Sequence, residues 1–335
     1  MTVIDADDEH RYQPGYLFMP FGTYSPQQVT KSRRATLHSG VDLQYGEIDA
    51  VRADEQVVAL TDGREFDYDM LIIATGVSPR PDQTDGMLGP QWRESIHEFY
   101  SYEGSVALAE KLRDWEGGRL VVNIVEMTYV TPLPGAFTKP IAAEAFGNTL
   151  EEKSIDVEPD FMLMEIDDDK KALVSYDERE VPFDKFTQLS TQYDNIFALG
   201  DANDIPASKA GSVAHFEIDV FVENFLQHIA GKEMTHKFDG HANCFIETGG
   251  GKAMLIDFNY DYEPLPGKFP YAGVGPMNLL KESRVNHLGK LAFRWIYWNV
   301  LMPGRSMPMP ALMSLKGKRT DLLQTEDKKE PALSA

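Results

Sequence analysis

The chain has 335 residues, a formal net charge of −21 and one cysteine, Cys244. This length suits about two domains with buried cores, and one cysteine excludes an intrachain disulfide. The acidic balance argues against nucleic acid, because neutralising phosphates needs a basic surface. No apolar run is long enough to predict a membrane-spanning helix, and residues 1–5 lack the basic and apolar regions of a secretory signal.

The first predicted strand covers Thr2–Asp5. It is typical of the second strand of a nucleotide-binding βαβ unit, in which an acid at the carboxyl end accepts a hydrogen bond from an adenosine ribose. Asp5 is therefore a candidate cofactor residue, although the pattern taken alone favours a surface acid that opens an acidic turn. The sequence lacks the preceding glycine-rich loop, whose amides would hold a pyrophosphate, and this weighs against a complete cofactor site.

Residues 41–67 alternate apolar and polar side chains, which predicts a β-meander. The meander leads into an apolar strand that starts at Asp69 and ends in Ala74-Thr75-Gly76. The proline-containing stretch 77–81 then breaks regular structure and indicates a crossing between domains.

The middle of the chain predicts an amphipathic helix over 105–115 and a buried strand over 120–125. A domain that bound NAD(P)H would place a glycine-rich turn directly after this strand, and the chain has residues 126–129, Glu-Met-Thr-Tyr, instead. Further strand-like runs follow at once or after only ten residues, whereas parallel strands need crossovers of a dozen or more. The sequence thus predicts a second dinucleotide-type domain that is degenerate and does not use NAD(P)H.

The segment Asn195–Asn203 is an apolar strand that ends in Gly200-Asp201. Glycine lets a ligand approach the backbone, and the carboxylate can accept hydrogen bonds from ligand hydroxyls. Alone this pattern is a common turn. Together with Thr75-Gly76 upstream, it is typical of the paired flavin motifs of flavoproteins with two dinucleotide-binding domains.

A long helix is predicted over 211–229, with Ser212 as its N-cap. In such flavoproteins the positive N-terminus of this helix points at the flavin ring and stabilises negative charge there. His215 in the first turn is either a residue that tunes the ring or a structural histidine.

Three stretches carry a family resemblance: 209–216, 241–248, and 275–290 together with Trp295–Asn299 and Pro303–Arg305. Through them the chain resembles sulfide:quinone oxidoreductases, which are related to flavocytochrome c sulfide dehydrogenases and type II NADH dehydrogenases. The resemblance implies an α/β fold with two Rossmann-like dinucleotide-binding domains, the first incomplete at its N-terminus, and a C-terminal membrane-associating region. The implied boundaries are 1–80 with 190–235 for the FAD domain, 81–189 for the second domain, 236–320 for the quinone and membrane region, and 321–335 for a tail.

The resemblance also implies the cofactor FAD, with electrons passing from sulfide through the flavin to a quinone. No metal site is expected. The residues expected at the cofactor are Asp5, Thr75, Gly76, Gly200, Asp201, Lys209, Ser212 and Ala214. The residues expected in a quinone pocket are Phe269, Tyr271, Gly275 and Pro276, for which ordinary loop packing is the alternative.

Cys244 matches the second of the family's two redox cysteines, and the first has no counterpart. Two cysteines can shuttle sulfur between disulfide and persulfide, whereas one thiol can at most carry a persulfide. Two alternatives therefore stay open: a flavoprotein with another donor, such as an NADH:quinone dehydrogenase, and an impaired family member that acts as a scaffold.

The C-terminal region predicts an amphipathic helix over 287–302. Residues 281–319 contain eight Lys or Arg and one acid, in an otherwise acidic chain. Aromatic residues beside basic ones are typical of helices that lie on membranes, because anionic headgroups attract the charge. The sequence thus predicts peripheral attachment through 281–319, on the cytoplasmic side, with packing on the protein's own core as the alternative and a homo-oligomer left open.

Overall fold

The computed structural model describes most of the chain. The described residues are 1–83, 86–117, 128–130, 140–152, 156–158, 165–167, 172–174, 187–190, 192–203, 207–208, 210–270, 275–305 and 309–322. The strands predicted at 120–125 and 181–184 lie outside them, as do Lys209 and Tyr271.

The described residues form a mixed α/β fold of short strands and four longer helices of 12 to 19 residues. In chain order the elements are β1 (Thr2–Asp5), β2 (Glu9–Arg11), α1 (Pro26–Val29), β3 (Thr30–Ser32), α2 (Arg33–Thr36), β4 (Asp42–Tyr45), β5 (Ile48–Arg52), β6 (Val57–Leu60), β7 (Glu65–Asp67), β8 (Leu71–Ile73), α3 (Tyr102–Arg113), β9 (Thr128–Val130), α4 (Pro140–Glu151), β10 (Asp156–Glu158), β11 (Glu165–Asp167), β12 (Ala172–Val174), β13 (Ile196–Ala198), α5 (Gly211–Ile229), β14 (Ala242–Gly249), β15 (Lys252–Phe258), β16 (Gly267–Phe269), β17 (Met277–Leu279) and α6 (Arg284–Ile296).

Two parallel strand pairs carry the nucleotide-fold pattern. Strand β1 pairs with β4, and β8 pairs with β13. The second pair joins strands more than 120 residues apart, as the two flavin motifs require. Strand β4 was expected in the meander, but it extends the β1 sheet, and the antiparallel meander consists of β5, β6 and β7.

Helices α3 and α5 lie where the apolar periodicity predicts them. Helix α3 begins three residues before the expected Ser105, because the Ser101 hydroxyl accepts a hydrogen bond from the Gly104 amide and caps the helix. Helix α5 has the predicted bounds, but its N-cap is Ala210 and not Ser212. Ser212 is the second helical residue and makes no cap.

The C-terminal region is built on a four-stranded sheet in the order β14-β15-β17-β16. Helix α5 packs on one face and contributes Val213, Phe216 and Val220 to the core there. Helix α6 lies against β14, β15 and β17. It is capped by Ser283, whose hydroxyl accepts from the Asn286 amide, and it therefore begins three residues before the predicted His287.

The end of α6 is covered by the protein's own N-terminal segment. Tyr12, Tyr16 and Phe18 form a buried cluster against which Tyr297 and Trp298 pack. Trp298 was expected at a membrane surface, and this packing corrects that expectation. Within the described residues, no helix is both long enough and apolar enough to span a membrane.

Two of the basic residues counted in the predicted membrane segment are also buried. The Lys318 ammonium lies 2.5 Å from the Asp257 carboxylate, and the two side chains are only 2% and 3% exposed. Burial lowers the pKa of Lys290, with the charges of Glu247 and Cys244 acting the other way. Lys318 is withheld from anionic headgroups, and the Lys290 ammonium is engaged by the Phe245 carbonyl, so the basic surface of 281–319 is smaller than the sequence suggests.

Candidate functional site

The two flavin motifs follow directly after the paired strands β8 and β13. Ile73 of β8 pairs with Ala198 of β13, and the Leu199 amide donates to the Ile73 carbonyl at 2.9 Å. Gly76 and Gly200 follow with φ of +67° and +61°, a region that side-chain-bearing residues avoid. The structure therefore brings Thr75-Gly76 and Gly200-Asp201 to the same edge of the sheet, as parallel pairing of the two strands requires.

The first turn of α5 lies against the Gly200 turn. A Cβ added at Gly200 would stand 3.4 Å from the Ala214 Cβ, which is ordinary van der Waals contact. The predicted residues Ala214 and Gly200 are therefore neighbours. Lys209 lies outside the described residues, so its cofactor contact stays a prediction.

The same turn buries two polar atoms, Ser212 Oγ and His215 Nε2, and neither has a hydrogen-bond partner of good geometry among the described residues. Such atoms are rare in folded proteins unless a water or ligand satisfies them. Burial lowers the pKa of His215, with Asp219 acting the other way, so the imidazole is neutral at pH 7. A helix N-terminus with unpaired polar atoms fits the polar edge of a flavin ring.

Asp5 stands at the carboxyl end of β1, where the ribose-binding acid is expected. Its carboxylate is already engaged: Arg33 lies 2.9 Å away, and the Asp7 amide donates to the other oxygen at 2.9 Å. The second Arg33 nitrogen donates to His10 Nδ1 at 2.7 Å. A carboxylate can accept more than these two bonds, and the ribose role of Asp5 stays a prediction.

Cys244 lies on β14, paired with Ile256, on the sheet face that packs against α5. Burial raises the pKa of its thiol. The Ser212 hydroxyl and the charge of Lys290 lower this pKa, and the charge of Asp257 adds to the effect of burial. The cysteine is therefore a thiol at neutral pH, next to one hydroxyl and one cation that favour the thiolate.

Lys290, Glu247 and His287 form a polar cluster where α6 meets β14, and motif reasoning missed it. The Lys290 ammonium donates to the Phe245 carbonyl at 2.8 Å, and His287 Nδ1 lies 2.8 Å from the Glu247 carboxylate. His287 and Lys290 are three residues apart on α6, so they share a helix face. This spacing in the sequence could have indicated a shared helix face. It could not indicate that this face of α6 lies against β14.

Phe269 lines a small cavity with His241, Asp257 and Lys318, and Cys244 is not among the lining residues. The cavity holds about 30 Å³, room for roughly one water molecule. Gly275 is buried and Pro276 exposed just before β17, whose Met277 pairs with Phe269. The quinone role of these residues stays a prediction.

The chain is similar to sulfide:quinone oxidoreductases in sequence and in fold. No family model matches the chain. The mitochondrial sulfide:quinone oxidoreductase of Dictyostelium discoideum is 22% identical, over 91% of this chain and 80% of that protein. The sulfide:quinone oxidoreductase structure from Aquifex aeolicus is similar with a TM-score of 0.68 and 14% identity, covering 90% of this chain and 85% of that one.

A further similar structure is a chain in the mitochondrial ATP synthase F1Fo assembly of Tetrahymena thermophila. Its TM-score is 0.69 at 14% identity, and the match covers 92% of this chain and 91% of that one. At such identities the structural matches establish the fold alone.

Sulfide:quinone oxidoreductases are FAD-binding flavoproteins, and FAD is the cofactor that the family resemblance implies. The matched fold is the mixed helix-and-sheet fold of two-domain flavoprotein oxidoreductases. The sequence matches extend along nearly the whole chain. The resemblance inferred from the motifs is therefore confirmed, and the chain is a relative of the sulfide:quinone oxidoreductases.

Proposed function

We propose that this protein is an FAD-dependent oxidoreductase that oxidises sulfide and passes the electrons to a quinone at a membrane surface. The observation that carries the proposal is the position of Cys244. Its thiol lies beside the first turn of α5, next to Ser212, and that same turn packs against Gly200 of the second flavin motif. In this proposal Cys244 would bind sulfur in the same site that holds the flavin.

The residues that would hold FAD are those that meet at the edge of β8 and β13. Asp201 would accept hydrogen bonds from hydroxyls of the cofactor, and Thr75-Gly76 and Gly200 would allow close approach of the backbone. The N-terminus of α5, with Ser212, would face the polar edge of the ring. When bound, FAD supplies the capacity to take up two electrons and release them to a second substrate.

Cys244 would bind the sulfur of the substrate. Sulfide loses two electrons in the reaction and the quinone gains two electrons and two protons. A thiolate is the reactive form of cysteine, and the Lys290 ammonium favours that form against the effect of burial. Lys290 therefore assists Cys244 by lowering the cost of its ionisation.

A part of α6 offers a surface for the membrane. Val285, Leu288 and Trp295 lie on its solvent side, and their exposed fractions are 43%, 62% and 64%. Lys281 and Arg284 are exposed at the start of the same helix. Apolar side chains beside cations suit the boundary between lipid tails and anionic headgroups. This surface replaces the broader basic segment as the proposed attachment site.

The test is a visible absorption spectrum of the purified chain, before and after anaerobic addition of sulfide. An oxidised-flavin spectrum that bleaches with sulfide and returns on adding a soluble quinone supports the proposal. Bleaching by NADH, and not by sulfide, would instead favour an NADH:quinone dehydrogenase.

A second function, as a subunit without catalysis, is favoured by one comparison. The Tetrahymena thermophila chain that shares this fold is part of an ATP synthase assembly. A colourless protein that FAD cannot reconstitute, but that co-purifies with a large membrane complex, would support this function and overturn the enzymatic one.

A further inference from the structure

A fully buried carboxylate links α5 to the second flavin motif. Glu217 is 0% exposed, and its Oε2 accepts a hydrogen bond from the Gly200 amide at 2.7 Å. Its Oε1 accepts from the Asn203 side-chain amide, also at 2.7 Å. The same amide nitrogen donates to the Ala198 carbonyl at 3.2 Å. One carboxylate thus holds the end of β13 and both ends of the turn Gly200–Asn203.

The N–H donors at both of its oxygens suit an ionised Glu217. Both contacts come from N–H donors, and an ionised carboxylate is an acceptor only. A buried charge is costly unless hydrogen bonds satisfy it, and bonds to charged groups are among the strongest in proteins. Burying a glutamate here costs free energy. A neutral side chain could link the helix to the turn without that cost.

The helix geometry explains how Glu217 reaches the turn. It lies in the second turn of α5, and side chains on a helix lean toward the N-terminus. Its carboxylate therefore points back past Ala214 toward Gly200. The turn that it holds contains Asp201, the residue expected to bind the hydroxyls of the cofactor.

We propose that Glu217 is a positioning residue for the cofactor site, acting through Gly200 and Asn203. It holds the Gly200 amide and the Asp201 backbone in the conformation that receives the cofactor. Its buried negative charge also opposes electron uptake by a cofactor bound at this turn. This inference rests on the proposed function, because it assigns Glu217 a role in binding FAD.

The experiment compares Glu217→Gln with the wild type and with Glu223→Gln. Glu223 is an exposed acid on the same helix, so its variant makes the same change in charge away from the turn. In Glu217→Gln the new side chain keeps an oxygen for the Gly200 amide but presents an NH₂ group to the Asn203 donor. We expect this variant to weaken FAD binding about tenfold or more, as loss of a buried charged hydrogen bond implies. Glu223→Gln should stay within about twofold of the wild type, because surface substitutions change little.

Two further readouts separate positioning from simple stability. The reduction potential of bound flavin should rise in Glu217→Gln, and amide hydrogen exchange at Gly200–Asn203 should quicken in the absence of FAD. A variant with a lower Tm but unchanged FAD affinity, potential and exchange at this turn would overturn the inference.

Failure of the proposed function has a different signature. A wild type that binds no FAD overturns that function and the cofactor role of Glu217 with it. Comparing amide hydrogen exchange at Gly200–Asn203 in the wild type and in Glu217→Gln, without FAD, still tests whether Glu217 holds the turn.

Discussion

The Lys318 ammonium and the Asp257 carboxylate form an ion pair at 2.5 Å, buried within the C-terminal sheet region. His241 Nε2 lies 2.8 Å from the other oxygen of Asp257, and the Ala311 carbonyl accepts from His241 Nδ1 at 2.9 Å. Burial acts to raise the pKa of Asp257, but His241 and Lys318 outweigh it, and the pKa lies below its ordinary value. The segment 309–319 is thereby fastened to the sheet at two points.

Replacing Lys318 with Met should destabilise the protein by about 3–5 kcal/mol, because it leaves the Asp257 charge buried without its partner. Denaturant unfolding measures this free energy. Lys316→Met, an exposed lysine two residues away, is the matched control and should change it by less than about 0.5 kcal/mol. Equal stability of the two variants would show that the buried pair contributes nothing. Adding Asp257→Asn to Lys318→Met should recover part of the loss.

The contact between His10 and Tyr297 should make stability depend on pH. Arg33 can only donate, so His10 Nδ1 accepts and Nε2 carries the proton toward the Tyr297 hydroxyl, 2.5 Å away. Burial, followed by the charge of Arg33, lowers the pKa of His10 to about 4.

The unfolded chain takes up this proton near pH 6.5, whereas the folded protein resists until about pH 4. Stability should therefore fall as the pH drops from 6.5 toward 4, by about 1–2 kcal/mol after allowance for solvent screening. His10→Gln should reduce this slope between about pH 6.5 and 5, and His38→Gln, at an exposed histidine, should not. Parallel curves for all three proteins would contradict the assignment.

Lys290→Met should raise the pKa of Cys244 further, because it removes a cation that favours the thiolate. The sequence has one cysteine, so iodoacetamide labelling against pH reports this thiol alone. The labelling curve should move to higher pH in Lys290→Met and stay in place in Lys281→Met, at an exposed lysine beside the start of α6. Superimposed curves for Lys290→Met and the wild type would show that Lys290 does not affect the ionisation of Cys244.

Cys244→Ser should abolish sulfide-dependent bleaching of the flavin while FAD stays bound. A serine hydroxyl is nearly the same size, but it cannot carry a persulfide. The visible spectrum measures both properties in one sample. Unchanged bleaching in the variant would mean that sulfide reaches the flavin without Cys244.

The exposed face of α6 should bind membranes. Leu288→Ser with Trp295→Ser should reduce flotation with phosphatidylglycerol–phosphatidylcholine vesicles about tenfold or more, because two large apolar side chains no longer enter the lipid. Ile218→Ser with Leu226→Ser changes two exposed apolar residues on α5 and is the control. Equal flotation of the two double variants would contradict the proposed surface.

The local patterns were predictable because they depend on neighbouring residues. Apolar runs that end in glycine indicated β8 and β13, and a 3.6-residue period indicated α5. Parallel pairing of β8 with β13 followed from the paired motifs, since their order along the chain is typical of a known fold. The N-cap of α5 was wrong, because Ser212 is a good cap by type but lies inside the helix, where its hydroxyl faces Cys244.

The membrane segment shows where sequence reasoning stops. Basic and aromatic residues over 281–319 have the composition of an interfacial helix, and composition carries no information about burial. Lys318 is buried because Asp257, 61 positions away, lies opposite it, and Trp298 is covered because the N-terminal cluster around Tyr12 packs there. Only long-range contacts decide which members of such a segment meet solvent.

The sequence by itself therefore determined the fold class and the family resemblance, and it pointed to two candidate flavin motifs and to Cys244 as the candidate residue for sulfur chemistry. These depend on residue type and local spacing, both of which are read directly from the sequence. The tertiary structure alone decided that Ser212 and Lys290 lower the pKa of the thiol, that Glu217 accepts from the Gly200 amide, and that α6 exposes one apolar face and buries the other. Each of these is a contact between strands and helices that only packing brings together, and burial then sets the pKa of each group.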